Sequence, residues 1–341
     1  MSDSNRQWLL KTRPVGMVGP EHFELVESAM PVPDLEAGQV LVRTLMLGFD
    51  PAMRGWVMDE PSYLPPVAIG APMRASGVGQ VIRSSNPDLP VGTLVQGLLN
   101  WQEYSIGDPA AAIAPTALPP GVPPSLALGI FGSTSLTAYF GLLDVGQPRA
   151  GETVLVSGAA GATGPVVAQI ARLKGCRVVG IAGGAEKCQW LLDACRVDAA
   201  IDYKREDIGQ RIGELCPGGV NLFFDNVGGD TLEAGISHMA DFGRIVLCGG
   251  ISGYNDEVPR PGPANLMTLV TRRLRMQGFI VIDYLPRAPE AIAALTGWVA
   301  AGELAWRDDI QQGFENIPAT LQRLFDGRNT GKQMLKLADP E

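Results

Sequence analysis

The chain has no cysteine before residue 176, and its 341 residues include just two histidines, His22 and His238. The cysteines that do occur (Cys176, Cys188, Cys195, Cys216, Cys248) are odd in number and scattered. That pattern excludes a disulfide framework and suits small buried hydrophobes in a reducing compartment, so a cytoplasmic location is expected. It also excludes a thiolate or imidazole cage for zinc, for want of ligands, and no metal is expected. Basic charge is in short supply too. Lys and Arg total 27 against 36 Asp and Glu, for a formal net charge of −9. Nucleic acid and anionic membranes, which need a basic footprint, are therefore not expected as partners. No run reads as the roughly 18 apolar residues of a membrane span, and the start M-S-D-S-N-R-Q-W lacks the apolar core of a signal peptide.

What is present is an ordinary globular composition, 46% hydrophobic and 18% charged, with 42 glycines and 27 prolines. The length suits two domains. Residues 1–114 read as β-rich, with apolar stretches at Val40–Leu47, Gly77–Ile82 and Thr93–Leu98 between Gly and Pro signals, as in a small barrel or sandwich. A connector, P-T-A-L-P-P-G-V-P-P (115–124), breaks the chain before a helical stretch, Ser125–Leu143. From Glu152 strands and helices alternate. The strands are Thr153–Ser157, Arg177–Ala182, Ala199–Asp202, Asn221–Asn226, Arg244–Cys248 and Met276–Ile282, with helices such as Pro165–Lys174 and Glu186–Cys195 between them. Such alternation implies parallel βαβ units in a doubly wound sheet. Ala291–Gly302 reads as helix and Asp309–Leu337 as mixed.

The strand T-V-L-V-S runs into G-A-A-G-A-T-G (158–164) and then a helix. Glycines at 158, 161 and 164 allow a tight turn, close approach to a pyrophosphate and close helix–strand packing, and the helix N-terminus offers its N–H groups to the phosphates. A glycine run alone is weak, but strand, helix and second strand all stand where a dinucleotide fold needs them. At the tip of that second strand an NAD site carries an acid for the ribose 2′-hydroxyl. Here Gly183 and Gly184 occupy the tip, Glu186 begins the next helix, and Lys187 is placed to meet a 2′-phosphate. NADP(H) is the expected cofactor.

Six segments in order, S-G-A-A-G-A-T-G, G-G-A-E-K, I-D-Y-K, F-F-D-N-V-G-G, F-G-R-I-V-L-C-G-G-I-S-G-Y-N and G-F-E-N-I-P, resemble one branch of the medium-chain dehydrogenase/reductase superfamily. It is the zinc-independent branch of prostaglandin/leukotriene reductases, 2-alkenal double-bond reductases and curcumin reductases. The likeness runs from about Val40 to Leu337, is dense after Gly151, and includes the late G-R-N-T-G-K-Q-M-L-K. The resemblance implies an α/β protein: a GroES-like β-barrel from residues 1–124 and 303–341, a Rossmann domain from 125–302, and the active site in the cleft between them. It implies that Gly161, Ala162, Thr163 and Gly164 bind pyrophosphate, that Lys187 and Tyr203 meet the 2′-phosphate, and that Asn226 lies by a ribose. Cys248, Gly249, Gly250, Ile251, Ser252 and Tyr254, with Phe279, Ile280 and Val281, would line the nicotinamide half, and Asn329 would close over it from the tail. Taken singly, each has a plainer role: Asn226 as turn former, Phe279 as core, Tyr203 as edge aromatic, Asn329-Thr330-Gly331 as ordinary turn. One departure stands out. Family members usually carry Tyr after D-P, where this chain has Ala52 in G-F-D-P-A-M-R-G, so the pocket is expected to be roomier or refilled by Trp56 or Tyr63. Asp50 and Arg54 of the same segment read as a local structural pair.

Without a Lewis acid, reduction of an activated C=C is the least demanding chemistry for such a site. The expected reaction delivers hydride from NADPH to the β-carbon of an α,β-unsaturated aldehyde or ketone, with charge collecting on the carbonyl oxygen. Tyr254 is the candidate donor to that oxygen, and it or water supplies the α-carbon proton; the alternative is that Tyr254 merely packs against the cofactor. Two other functions stay open: an NADPH-dependent quinone reductase, and a non-catalytic NADPH-binding protein like the lens and RNA-binding relatives of the superfamily. The expected partners are a small apolar substrate and, through an apolar last strand M-Q-G-F-I-V-I at the sheet edge, a second copy in a homodimer.

Overall fold

The computed structural model describes residues 4–31, 34–111 and 113–341. The chain divides into two compact units, 1–129 with 308–341 and 130–307, so each break falls five residues beyond the sequence boundary, after Gly129 and after Arg307.

In the first unit, β1 (Ser4–Leu10) and β2 (Phe23–Ala29) form an antiparallel ribbon. Next come β3 (Val40–Gly48), the short helix α1 (Met53–Trp56), β4 (Ser76–Ser84), β5 (Leu94–Leu98), β6 (Tyr104–Gly107), β7 (Thr116–Ala117) and α2 (Pro124–Leu128). The apolar positions converge on Trp101, fully buried, whose ring centroid lies 4.7 Å from that of Phe23 and 5.9 Å from that of Phe49. Backbone bonds of 2.9 Å from Trp8 N–H to Trp101 O and from Leu10 N–H to Ala71 O fasten the ribbon over this core.

The second unit starts with α3 (Ser133–Phe140) and a wide helical turn, Gly141–Gly146. One helix over Ser125–Leu143 was expected, but the chain breaks it at Gly129–Gly132, where two glycines favour leaving the helix. The segment Pro124–Gly146 is nonetheless 23 residues long and apolar enough by composition to cross a membrane, which corrects the expectation that no such stretch exists; most of it is buried within the protein. Then follow β8 (Thr153–Val156), α4 (Gly164–Leu173), β9 (Arg177–Ala182), α5 (Ala185–Asp193), β10 (Ala199–Asp202), α6 (Ile208–Leu215), β11 (Val220–Asp225), α7 (Gly229–Ser237), β12 (Met239–Leu247), α8 (Thr268–Thr271), β13 (Arg275–Gly278) and α9 (Ala288–Ala300). The strands pair in parallel in the order β10-β9-β8-β11-β12-β13, the doubly wound Rossmann order with its switch point between β8 and β11. Val154, Leu155, Val156, Phe223, Phe224, Ile245 and Val246 are buried, because a parallel sheet is covered on both faces. Glu152 ties β8 to β12: Arg244 donates to both of its oxygens, at 2.8 and 2.7 Å.

The last strand is shorter than Met276–Ile282. It ends at Gly278, paired with Leu247, and Val281–Arg287 forms a 3-10 helix. Phe279 leaves the ladder because its ring packs edge-on against Phe224 and Tyr284, at centroid distances of 6.4 and 6.3 Å. Strand β13 is, as expected, at the sheet edge. The tail, β14 (Asp308–Gln312), α10 (Ile317–Phe325) and β15 (Lys332–Lys336), completes the first unit. Its seven-stranded sheet runs β14-β15-β3-β4-β5-β7, with β6 on β3, and β15 pairs antiparallel with β3.

Candidate functional site

The carboxyl edge of the parallel sheet gathers most of the expected positions. After β8 the backbone turns at Gly158 (φ +58°) and enters α4 at Gly164. A Cβ on Gly164 would stand 2.4 Å from the carbonyl oxygen of Gly158 and 2.6 Å from Ala159 Cα, so a side chain there would force the loop open. Gly161, Ala162 and Thr163 form the turn, and the first turn of α4 carries no acid. Its N–H groups and dipole make a cradle for an anion.

Across the switch point a buried network joins β8 to β11. Ser157 donates its hydroxyl to Asp225 Oδ1 at 2.5 Å and accepts from Asn226 N–H at 2.8 Å, while the Asn226 amide donates to Ser157 O at 2.7 Å. Asp225 also accepts from the N–H groups of Val227 (3.1 Å) and Gly228 (3.0 Å). Burial pushes its carboxyl above the usual range, and these three donors, the Ser157 hydroxyl and the two amides, only partly offset it. The side chain of Asn226 is thus occupied in holding the loop.

At the other end of the site, Tyr203 follows β10 and donates its N–H to Ala182 O at 3.1 Å, which sets it beside the tip of β9. Gly183 and Gly184 form that tip, and Lys187 lies in the first turns of α5 with Glu186.

Beyond β11, β12 and β13 opens a cavity of about 660 Å³. Cys248, Gly249, Gly250, Phe279 and Ile280 line it, together with Asp225, Leu232, Leu247 and Asp283. Burial and the nearby Asp225 push the Cys248 thiol up to about 12, so it stays protonated. Ile251 donates its N–H to Asn226 O at 3.4 Å, and Ser252 bonds Val227 O through both N–H (3.0 Å) and hydroxyl (2.7 Å). Tyr254 folds back so that its phenol oxygen accepts from Gly250 N–H at 3.1 Å. Val281 starts the helical turn after the cavity. The cavity therefore brings residues 248–250 together with 278–280 and Asp283, while Ile251, Ser252, Tyr254 and Val281 are not among its lining residues. Sequence reasoning missed Asp225, Gly228, Leu232, Leu247, Gly278 and Asp283 as lining groups. For Asp225 a signal was available, since F-D-N-V-G puts an acid at a strand end.

Asn329 belongs to the other unit, where its amide donates to Gly331 O at 3.1 Å and Thr330 N–H donates to Asp309 at 3.1 Å. In that unit the expected Asp50–Arg54 pairing gives way to longer-range partners. Asp50 accepts from Lys332 Nζ at 2.6 Å, and Arg54 donates to the carbonyls of Pro14 (3.2 Å) and Gly16 (3.0 Å). One helical turn after Ala52, Trp56 donates its backbone N–H to Ala52 O at 3.3 Å and its indole N–H to the Tyr63 hydroxyl at 3.0 Å, with Arg74 over the Trp56 ring at 5.7 Å.

The chain is similar to known oxidoreductases over nearly its whole length. Residues 6–114 match the family described as the N-terminal domain of oxidoreductase, and residues 162–298 the family described as zinc-binding dehydrogenase. The chain is 40% identical to the NADPH-dependent curcumin reductase of Escherichia coli (strain K12), over 98% of this chain and 97% of that one. It is 38% identical to the NADP-dependent 2-alkenal reductase of Nicotiana tabacum over 98% of each. The crystal structure of CurA from Vibrio vulnificus in complex with NADPH superposes with a TM-score of 0.92 at 40% identity, covering 98% of this chain and 100% of that one.

The chain belongs to the medium-chain dehydrogenase/reductase superfamily. Within it, this medium-chain reductase is an NADPH-dependent oxidoreductase of the curcumin, 2-alkenal and prostaglandin reductase type. The family description mentions zinc, yet among the described residues no group of three or more His, Cys, Asp or Glu side chains could share a metal ion. The residues present fit the dinucleotide. The Gly158–Gly164 cradle is one that a Cβ at 164 would fill, and the β9 tip carries no carboxylate of its own.

Proposed function

We propose that this reductase saturates the C=C bond of small apolar α,β-unsaturated aldehydes and ketones. Bound NADPH would supply the hydride for the β-carbon. The observation that carries the reading is the cavity at the carboxyl ends of β11, β12 and β13, apolar on the side of Leu232, Leu247, Phe279 and Ile280, with the Tyr254 phenol fixed on its Gly249–Gly250 rim. The loop 161–164 holds the pyrophosphate, Lys187 and Tyr203 hold the 2′-phosphate, and residues 248–254 and 279–281 enclose the nicotinamide end. Tyr254 donates to the carbonyl oxygen as negative charge gathers there. A protonated Cys248 suits this chemistry, because a thiolate in the same cavity would itself add to an electrophilic β-carbon.

The test is NADPH consumption across enals, enones and quinones, with NADH as control. Quinone turnover without enone turnover would overturn the reading, and coenzyme binding with no turnover at all would favour a non-catalytic role. Replacing Tyr254→Phe is expected to lower enone kcat about tenfold, the value of one hydrogen bond to a charged oxygen, with the NADPH Kd unchanged. Unaltered turnover removes Tyr254 from the chemistry.

We further propose a homodimer formed through the open edge of β13. Leu266, Met267 and Val270, which immediately precede that strand, are exposed apolar side chains and would be covered by the second copy. Light scattering on the parent and on Val270→Asp tests this; a monomeric parent refutes it.

A further inference from the structure

The segment I-D-Y-K places an aspartate next to Tyr203, at the spot read above as the seat of the 2′-phosphate. A carboxylate open to that spot would repel a dianion. Asp202 is instead 7% exposed and turned inward. Its Oδ1 accepts two backbone amides from different segments, Gly184 N–H at 2.7 Å and Lys204 N–H at 3.1 Å. Its Oδ2 is buried and makes no hydrogen bond; Arg205 Nε lies 4.0 Å away. The backbone N–H of Asp202 donates to Glu206 at 2.7 Å, which closes the turn below it.

One oxygen therefore clamps the tip of β9 to the turn after β10. Gly184 needs the clamp, because it sits at φ +97°, a conformation the tip would otherwise sample among several. Gly183 is held against Tyr203 by the same register: a Cβ there would lie 2.7–2.8 Å from the phenol ring. With the clamp shut, Lys187 on α5 and Tyr203 and Lys204 on the turn belong to one rigid rim. Lys204 is exposed, so it adds a second cation to that rim.

We propose that Asp202 is the positioning residue of coenzyme choice: by holding Gly184 and Lys204 on one carboxylate oxygen it fixes the rim that receives the 2′-phosphate, and Lys204 takes part in that reception. A carboxylate is tolerated beside a phosphate because its lone pairs are spent on amides and its exposed area is small. The inference rests on placing the 2′-phosphate at Lys187 and Tyr203.

The experiment is calorimetric titration of the full chain with 2′,5′-ADP and with 5′-AMP, which differ by the phosphate in question and need no turnover. Lys187→Met tests the placement itself; if it leaves 2′,5′-ADP binding intact, the phosphate sits elsewhere. With that control passed, Asp202→Ala is expected to weaken 2′,5′-ADP about tenfold and 5′-AMP less than about twofold, from two lost hydrogen bonds to a charged acceptor. Asp202→Asn keeps an acceptor oxygen for the two amides and should stay within about threefold of the parent. Equal weakening of both ligands in Asp202→Ala, or an Asn variant as poor as the Ala variant, overturns the positioning role. Lys204→Met, on an exposed side chain that folding does not require, should weaken 2′,5′-ADP about threefold and flatten its salt dependence. No change there removes Lys204 from the rim.

Discussion

In residues 130–307 the sheet is parallel, and the positions in this unit expected to touch the coenzyme follow strands at their carboxyl ends. In residues 1–129 with 308–341 the sheet is mostly antiparallel, and its polar side chains are paid out over long sequence distances: Lys332 to Asp50, Trp8 Nε1 to Phe314 O at 2.9 Å, Arg323 to Asp309 at 2.8 Å. The candidate site in residues 130–307 is built from backbone, through glycines and strand ends a few residues apart. The other unit fills its interior and its polar corners with side chains that meet through the return of the tail. Backbone geometry at a strand end tolerates few substitutions, whereas contacts between side chains such as Trp56, Tyr63 and Arg74 are easily altered by them.

That contrast can be broken most forcefully at Trp101. Its replacement by Ala should cost about 3–5 kcal/mol of stability, the loss typical of a large aromatic removed from a packed core. Thermal melting reads the loss, and the coenzyme Kd measured below the transition should hardly move. A coenzyme Kd that worsens in step would show that the two units are not energetically separate. Gly164→Ala probes the opposite unit. Its Cβ would meet the Gly158 carbonyl at 2.4 Å, so the loop must shift, and NADPH binding should weaken by about 1–3 kcal/mol in a fluorescence titration. Unchanged binding would mean that the loop is not the phosphate cradle. The smallest effect concerns thiols. All five cysteines lie within 130–307, and burial raises Cys176 and Cys188 to about 11 and Cys195 and Cys248 to about 12. A folded value above the unfolded one favours folding below about pH 9, and that contribution is lost as pH rises through 11 to 12. Stability should therefore decline on the alkaline side with a slope of up to about 1.4 kcal/mol per pH unit for each raised thiol, and Cys195→Ala should flatten the slope. A slope unaffected by that change assigns the alkaline loss to other groups.

Much of the parallel unit was legible because its signals are local. T-V-L-V-S-G-A-A-G-A-T-G states strand, turn and helix within a dozen residues, and β8, β9 and β10 fall where the apolar runs end. The expected seven-residue last strand failed because Phe279 is apolar in either setting; its packing on Phe224 and Tyr284, not its hydrophobicity, takes it off the ladder. Asp50 and Arg54 misled for a related reason. They are four residues apart and of opposite charge, but Lys332 arrives from the far end of the chain to take the carboxylate. Asp225 and Asp202 were overlooked as organisers because nothing in one dimension says which amides a carboxylate will reach.

The sequence by itself determined the order of strands and helices, the glycine loop after β8 and the neutral tip of β9. These depend on residue type and on spacing of a few positions, which the backbone converts directly into geometry. Tertiary structure alone decided which distant groups meet: Asp202 on Gly184 and Lys204, Ser157 on Asp225, Lys332 on Asp50. Hydrogen bonds and ion pairs act over about 3 Å, and only the folded chain brings residues tens or hundreds of positions apart within that reach.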